Sequence, residues 1–212
     1  MTTTTSGSIA GRCLDAALAV ILEKEQELAR LDSVAGDGDH GAGMARGFRA
    51  AAAVERTGNA GDVLASAGAA FSDAAGGASG ALVGMFIMTI GNGLRGGAID
   101  AHKVHAALTM GVNGISKLGK TQVGDKTMLD TLAPFAAAFG EAAQQGATIR
   151  QAWQQSLAAA EAGKESTRNM IARRGRSSVL KEKSLGHLDP GAASMAYVLA
   201  AVGEVLQQEL TA

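Results

Sequence analysis

Apolar residues recur along this chain at intervals of three and four. Leu14, Leu18, Ile21 and Leu22 form one such stripe, and Met44, Gly47, Phe48 and Ala51 form the next. That spacing places each set on one face of an α-helix. The pattern repeats at Val63, Leu64, Ala67 and Phe71, and at Val104, Leu108, Val112 and Ile115. It continues through Leu129, Leu132, Phe135 and Phe139, then Ile149, Trp153 and Leu157, and ends with Met195, Val198, Leu199, Val202 and Leu206. No stretch alternates as a half-buried strand would. Asp62 and Asp100 are expected caps for the helices that follow them, and Asp189-Pro190 supplies a cap followed by proline at the first helical position. Interruptions fall at VAGDGDHG, AAGGASG, LRGG, GKTQVGDK and RRGRSSVLKEKSLGH. The reading is all-α: eight helices in an antiparallel bundle or barrel.

Composition sharpens this picture. Aromatic residues are only 3% of the 212, and 29 glycines are about twice the usual share, so side chains are small and helices can pack closely. The length suits one domain with a full core, expected over residues 9–212, preceded by a polar tail at residues 1–8. That tail has neither the basic region nor the apolar core of a signal peptide. The longest apolar run, Ala81 to Ile90, is about half of what spans a bilayer, so no membrane association is expected. A net charge of −1 gives no global attraction to nucleic acid, and any anion must be bound locally. The lone Cys13 excludes an internal disulfide and reads as a small buried hydrophobe in a cytoplasmic protein.

Candidate chemistry begins with GDGDHGAG, Gly36 to Gly43. Its glycine spacing matches a dinucleotide-binding turn, but that motif needs a preceding strand, and a phosphate there would face Asp37 and Asp39. Gly114 to Thr121 matches the P-loop pattern letter for letter, yet the residues before it are helical. An EF-hand starting at Asp37 fails because its glutamate position falls on Phe48. What remains is three carboxylates, Asp32, Asp37 and Asp39, at the junction of the first two helices. Carboxylates that converge need a cation, and hard oxygen ligands suit Mg²⁺, which completes its shell with water and substrate phosphates. A metal between them makes an acidic loop compatible with phosphate. Aspartate and glycine are equally ordinary turn-formers, so the loop alone leaves both readings open.

Other polar breaks add candidates: Ser79 and the amides of GGASG at a helix start, Asp125, Lys126 and Thr127 in GDKTM, and Arg173, Arg174, Arg176, His187 and Asp189 towards the end. Taken together, LDSVAGDGDHGAGMARGF, GGASGALVG, GKTQVGDKTMLD and GRSSVLKEKSLGHLDPGAAS, in that order, resemble the L subunit or L domain of dihydroxyacetone kinases. The resemblance implies an eight-helix antiparallel barrel with an adenine nucleotide, ATP or ADP, at one end. It makes Asp32, Asp37 and Asp39 the ligands of Mg²⁺, expected as two ions, and catalytic through the metal. It sets His40, Gly41, Ala42 and Gly43 against the phosphates, with Ala78 and Ser79 adding contacts. Gly119 and Met128 would flank the adenine, while Arg176 and the turn Asp189, Pro190, Gly191 complete the nucleotide site.

The resemblance also implies a K-subunit partner that carries the ketose, and in some relatives a phosphotransferase-system protein that rephosphorylates bound ADP; a homodimer is a further expectation. One departure is VLKEKSLGH, where Lys183 stands in place of an expected arginine and favours exchangeable ATP over retained ADP. Two related roles stay open: a fatty-acid-kinase module, which would carry threonine after DGD where this chain has His40, and a nucleotide-loaded subunit that regulates a transcription factor.

Overall fold

The computed structural model describes residues 3–175, 178, 179 and 181–210. Among these are eight α-helices and no strand: α1 (Thr3–Ser33), α2 (His40–Ala52), α3 (Ala60–Ala75), α4 (Gly77–Leu94), α5 (Ala101–Gly119), α6 (Leu129–Gln144), α7 (Ile149–Ser166) and α8 (Pro190–Glu209). Short 3-10 turns occupy Thr167–Asn169 and Lys181–Ser184. Each helix packs against the next, and α8 returns to α1, which closes the ring into a barrel. Neighbours run antiparallel. In the first and last helices, for example, Arg12 pairs with Glu209 at one end and Tyr197 bonds Glu27 nearer the other.

Small residues let the helices approach. One such seam joins α3 to α4, where a Cβ added at Gly61 would lie 2.7 Å from the Gly91 carbonyl oxygen and one at Gly68 would lie 2.5 Å from that of Gly84. Only hydrogen fits there. α4 is also the one described helix long and apolar enough to cross a membrane by length and composition. Its packing between α3 and α5 accounts for that apolar character, because it is a stave of the barrel wall. Larger side chains fill the centre. Phe71, Phe135, Phe139, Ile21, Leu28 and Leu108 are fully buried, and Phe135 meets Trp153 edge to face at 4.9 Å. A largely apolar space of about 200 Å³ remains between Leu14, Phe86, Leu132 and Leu199, with Ser6 and Cys13 also in its lining.

Two local expectations are corrected. The polar start is not a tail: α1 begins at Thr3, and buried Ser6 accepts a hydrogen bond from the Ala60 amide at 3.2 Å. Threonine and serine have modest helix propensity, but that tertiary contact to the start of α3 overrides it. The cap of α3 is Asn59 rather than Asp62. Asn59 accepts from the Asp62 amide at 3.0 Å, leaving Asp62 in the first turn, where it pairs with Arg95 at 2.9 Å. Asp100 and Asp189 cap α5 and α8 as expected, accepting from Lys103 and Ala192. The P-loop pattern dissolves for the reason anticipated, since α5 runs unbroken through Gly114 to Gly119. Cys13 is half-buried, and burial pushes its thiol up to about 12, which makes it a poor nucleophile.

Candidate active site

Antiparallel order brings the ends of α1, α3, α5 and α7 together with the starts of α2, α4, α6 and α8. A cleft of about 600 Å³ opens at this end of the barrel. One wall is acidic. The α1–α2 loop turns tightly, with the Gly36 amide bonded to the Asp32 carbonyl at 2.6 Å, and it gathers Asp32, Asp37 and Asp39 so that one oxygen of each lies within 4.8 Å of the others. Asp32 is mostly buried and accepts from the His40 amide at 3.3 Å; Asp37 and Asp39 are exposed. Three hard anionic oxygens at this spacing fit a small divalent cation.

The facing wall supplies backbone donors. Gly76 and Gly77 both take left-handed φ, +72° and +66°, a pair of conformations that side chains resist, and so α4 starts abruptly. α4 has no side-chain cap bond at its start. Amides in the exposed first turn of α4, around Ala78 and Ser79, are therefore available to an anion. Arg46 lines the cleft between the two walls and donates to the Ala75 carbonyl at 3.0 Å, which holds α2 to the end of α3.

His40 sits beneath the acidic wall. Its Nε2 lies 3.0 Å from Ser194 Oγ, and that hydroxyl donates to the Gly191 carbonyl at 3.0 Å. Burial drives the ring's pKa down to about 4 despite the nearby charge of Asp32, so the imidazole is neutral at pH 7. His40 is thus a neutral bridge from the acid loop to the start of α8.

Two further segments close the cleft. In the loop from Lys120 to Met128, Asp130 accepts from the Gly124 and Thr127 amides at 2.6 and 2.7 Å, and Asp125 accepts from the Gln122 amide at 3.0 Å. Lys126, with φ +63°, buries its side chain and donates to the Thr167 and His187 carbonyls, each at 2.5 Å. The turn before α8 carries Asp189, which burial pushes up to about 7.

Of the candidates from the sequence, the structure brings Asp32, Asp37, Asp39, His40, Gly43, Ala78, Ser79, Gly119, Met128, Asp189, Pro190 and Gly191 together in the lining of this cleft. Gly41 and Ala42 are not among the lining residues. A Cβ on Gly41 would strike the Glu25 carbonyl, so that glycine serves the contact of α2 with α1. Arg176 lies outside the described residues. Lys183 is not at the cleft either, which removes the footing for reading nucleotide exchange from that substitution. Lys126, a candidate from GDKTM, also lines the cleft, and Arg46 and Thr121 line it without having been singled out in the sequence. A lone arginine inside a helix, or a threonine at the end of one, carries no such signal in sequence.

A helical barrel that sets three clustered carboxylates opposite an uncapped helix start has the groups to hold a cation and an anion side by side at one end. A DAK2 domain matches residues 34–204 of this chain. An L-erythrulose 1-kinase from Mycolicibacterium smegmatis is 44% identical over 195 residues, which cover 88% of this chain and 34% of that protein. The ADP-binding subunit DhaL of PEP-dependent dihydroxyacetone kinase 1 from Listeria innocua is 34% identical over 194 residues, with 90% of this chain and 91% of that subunit covered. The crystal structure of the dihydroxyacetone kinase from C. freundii in complex with AMP-PNP and Mg²⁺ superposes with a TM-score of 0.66 at 28% identity, covering 96% of this chain and 34% of that one. The chain belongs to the DAK2 domain family. It spans about a third of the length of the erythrulose kinases it matches.

Proposed function

We propose that this chain is the nucleotide-holding part of a ketose kinase, a phosphotransferase with an alcohol acceptor. The observation that carries the reading is the convergence of Asp32, Asp37 and Asp39 on one wall of a cleft whose other wall is the uncapped start of α4. The carboxylates fit Mg²⁺, with two ions proposed, and Mg²⁺ supplies charge neutralisation on phosphate oxygens when bound. The chain's own residues then orient the donor. Asp32, Asp37 and Asp39 fix the metal, Gly43, Ala78 and Ser79 present backbone to phosphate, and Gly119 and Met128 flank the base. The Asp189 to Gly191 turn closes the far side, and Arg176 is proposed to assist there. Phosphoryl transfer asks little covalent work of a protein beyond such positioning.

No residue in the cleft stands out as an acceptor nucleophile, so the ketose is proposed to come on a K-type partner or domain. Dihydroxyacetone and erythrulose are the proposed acceptors, because relatives are named for both. Exchangeable ATP is the proposed donor. The erythrulose kinase above is 44% identical, against 34% for the PEP-dependent subunit. A phosphotransferase-system protein acting on retained ADP is the competing donor.

Calorimetry tests the core of the reading. Mg·ADP is expected to bind, and Asp37→Asn is expected to weaken it by at least about tenfold, the value of one charged contact, while the far-ultraviolet spectrum stays unchanged. Binding that survives both the substitution and excess chelator would remove the metal site. With a K-type partner, excess ATP and either ketose, many turnovers are expected. One turnover followed by a stall, with ADP retained after gel filtration, would establish the relay instead.

A further inference from the structure

Lys126 is the residue of this cleft whose surroundings are least explained by nucleotide chemistry. Its backbone sits in the left-handed region, φ +63°, where a glycine would be at ease. Its side chain is 3% exposed, an unusual position for a lysine. A buried ammonium persists only when its protons are placed, and here the 2.5 Å bonds to Thr167 and His187 place two of them. Asp189 and Asp130 add favourable charge, and Arg168 opposes it. The carbonyls belong to different segments: Thr167 follows α7, whereas His187 opens the turn that caps α8. Thr167 also accepts the Asp189 amide through its hydroxyl at 3.0 Å. One ammonium therefore joins the α5–α6 loop to both segments on the opposite rim.

We propose that Lys126 is a positioning residue whose ammonium ties the α5–α6 loop to the α8 turn, and that this tie sets how long a nucleotide stays in the cleft. The second half rests on the nucleotide-binding reading above. Gly119 and Met128 bound the loop on one side and Asp189 to Gly191 form the turn on the other, so a bound nucleotide leaves only when the two part. A loop held by its own Asp125 and Asp130 bonds keeps its shape without Lys126. What it would lose is its attachment to the α8 turn, while the Arg173 amide still bonds the Asp125 carbonyl at 3.1 Å.

The test uses the full chain with Lys126→Met, which keeps length and removes charge, and Lys126→Gly, which relieves the left-handed backbone and so protects folding. Amide hydrogen exchange of the nucleotide-free protein is expected to show lost protection at 187–192 as well as at 120–128 in both variants. Release of a fluorescent ADP analogue with Mg²⁺ is expected to be at least about tenfold faster, the value of one charge-assisted hydrogen bond. Lost protection confined to 120–128, or release at the parent rate, would overturn the proposal. Should the parent hold no Mg·ADP, the nucleotide reading fails by itself, and exchange at 187–192 still decides whether the tie exists.

Discussion

Asp189 shows how one side chain can make the protein sensitive to acidity. Its carboxylate caps α8 through the Ala192 amide at 2.7 Å. Burial raises its pKa from 3.8 to about 7, more than the α8 amides and Lys126 lower it, and Asp130 pushes the same way as burial. A folded-state pKa above the unfolded one means that the native state binds more protons between those limits. This contribution to stability is full below 3.8 and is lost as pH rises through about 7. Asp189→Asn retains an accepting oxygen for the cap and cannot ionise. Relative to the parent, it is expected to gain melting temperature progressively between pH 4 and pH 8. A constant offset across that range would show that the carboxyl does not titrate there.

Among helices, glycines separate into those that bear contacts and those that only happen to be helical. At Gly68 an added methyl meets backbone atoms of α4, which cannot step aside. Gly68→Ala is expected to cost about 1–3 kcal/mol, the range for overpacking a core contact. At Gly114 the obstacle is the sulfur and terminal carbon of Met85, 2.8 and 3.1 Å from the added carbon. That end swings away easily, and alanine gains about 0.5–1 kcal/mol of helix propensity over glycine. Gly114→Ala is therefore expected to be neutral or stabilising in thermal melts. An equal loss at the two positions would contradict this distinction.

Much of this was legible in the chain. The three- and four-residue periods marked seven of the eight helices, α4 standing in sequence only as the apolar run Ala81 to Ile90, and the acid loop and the Asp189-Pro190 start fell where the structure has them. The cleft's rim was harder to read. Lys126 and Arg46 act through carbonyls far away in sequence, at His187 and Ala75, and a carbonyl carries no side-chain signature. The start of α1 has only polar residues to show in sequence, and the contact that Ser6 makes there is with Ala60, far away along the chain.

At the scale of the whole molecule, a ring of eight helices has no natural place to divide. α1 packs against α2, α3 and α8, so the first and last helices of the chain complete each other. Trp153, the single tryptophan, sits against Phe135 and Phe139 and donates to the Leu199 carbonyl at 2.9 Å, and it reports on α6, α7 and α8 together. Its emission and the far-ultraviolet signal are expected to change in one coincident transition in denaturant. Removing residues 2–8 deletes Ser6 and with it a buried partner of Ala60. That truncation is expected to lower the midpoint by about 1–2 kcal/mol in stability, the usual cost of an unmet buried donor. Two separated transitions in the intact chain would show that the ring opens before it melts.

The seam between α3 and α4 works as a ruler. Gly61 and Gly68 on one helix, and Gly84 and Gly91 on the other, stand seven residues apart, two marks on each scale. One mark would allow a helix to pivot, whereas two fix both its height and its rotation. Where a side chain faces a glycine, as Met85 faces Gly114, it can change rotamer to absorb a shift, but hydrogen atoms have no rotamers. The level at which Ala78 and Ser79 meet the cleft is therefore set some way down the wall, by residues that never touch it. Variation among relatives is expected to be smallest at these four marks, and a substitution there would displace the first turn of α4 before it loosened anything else.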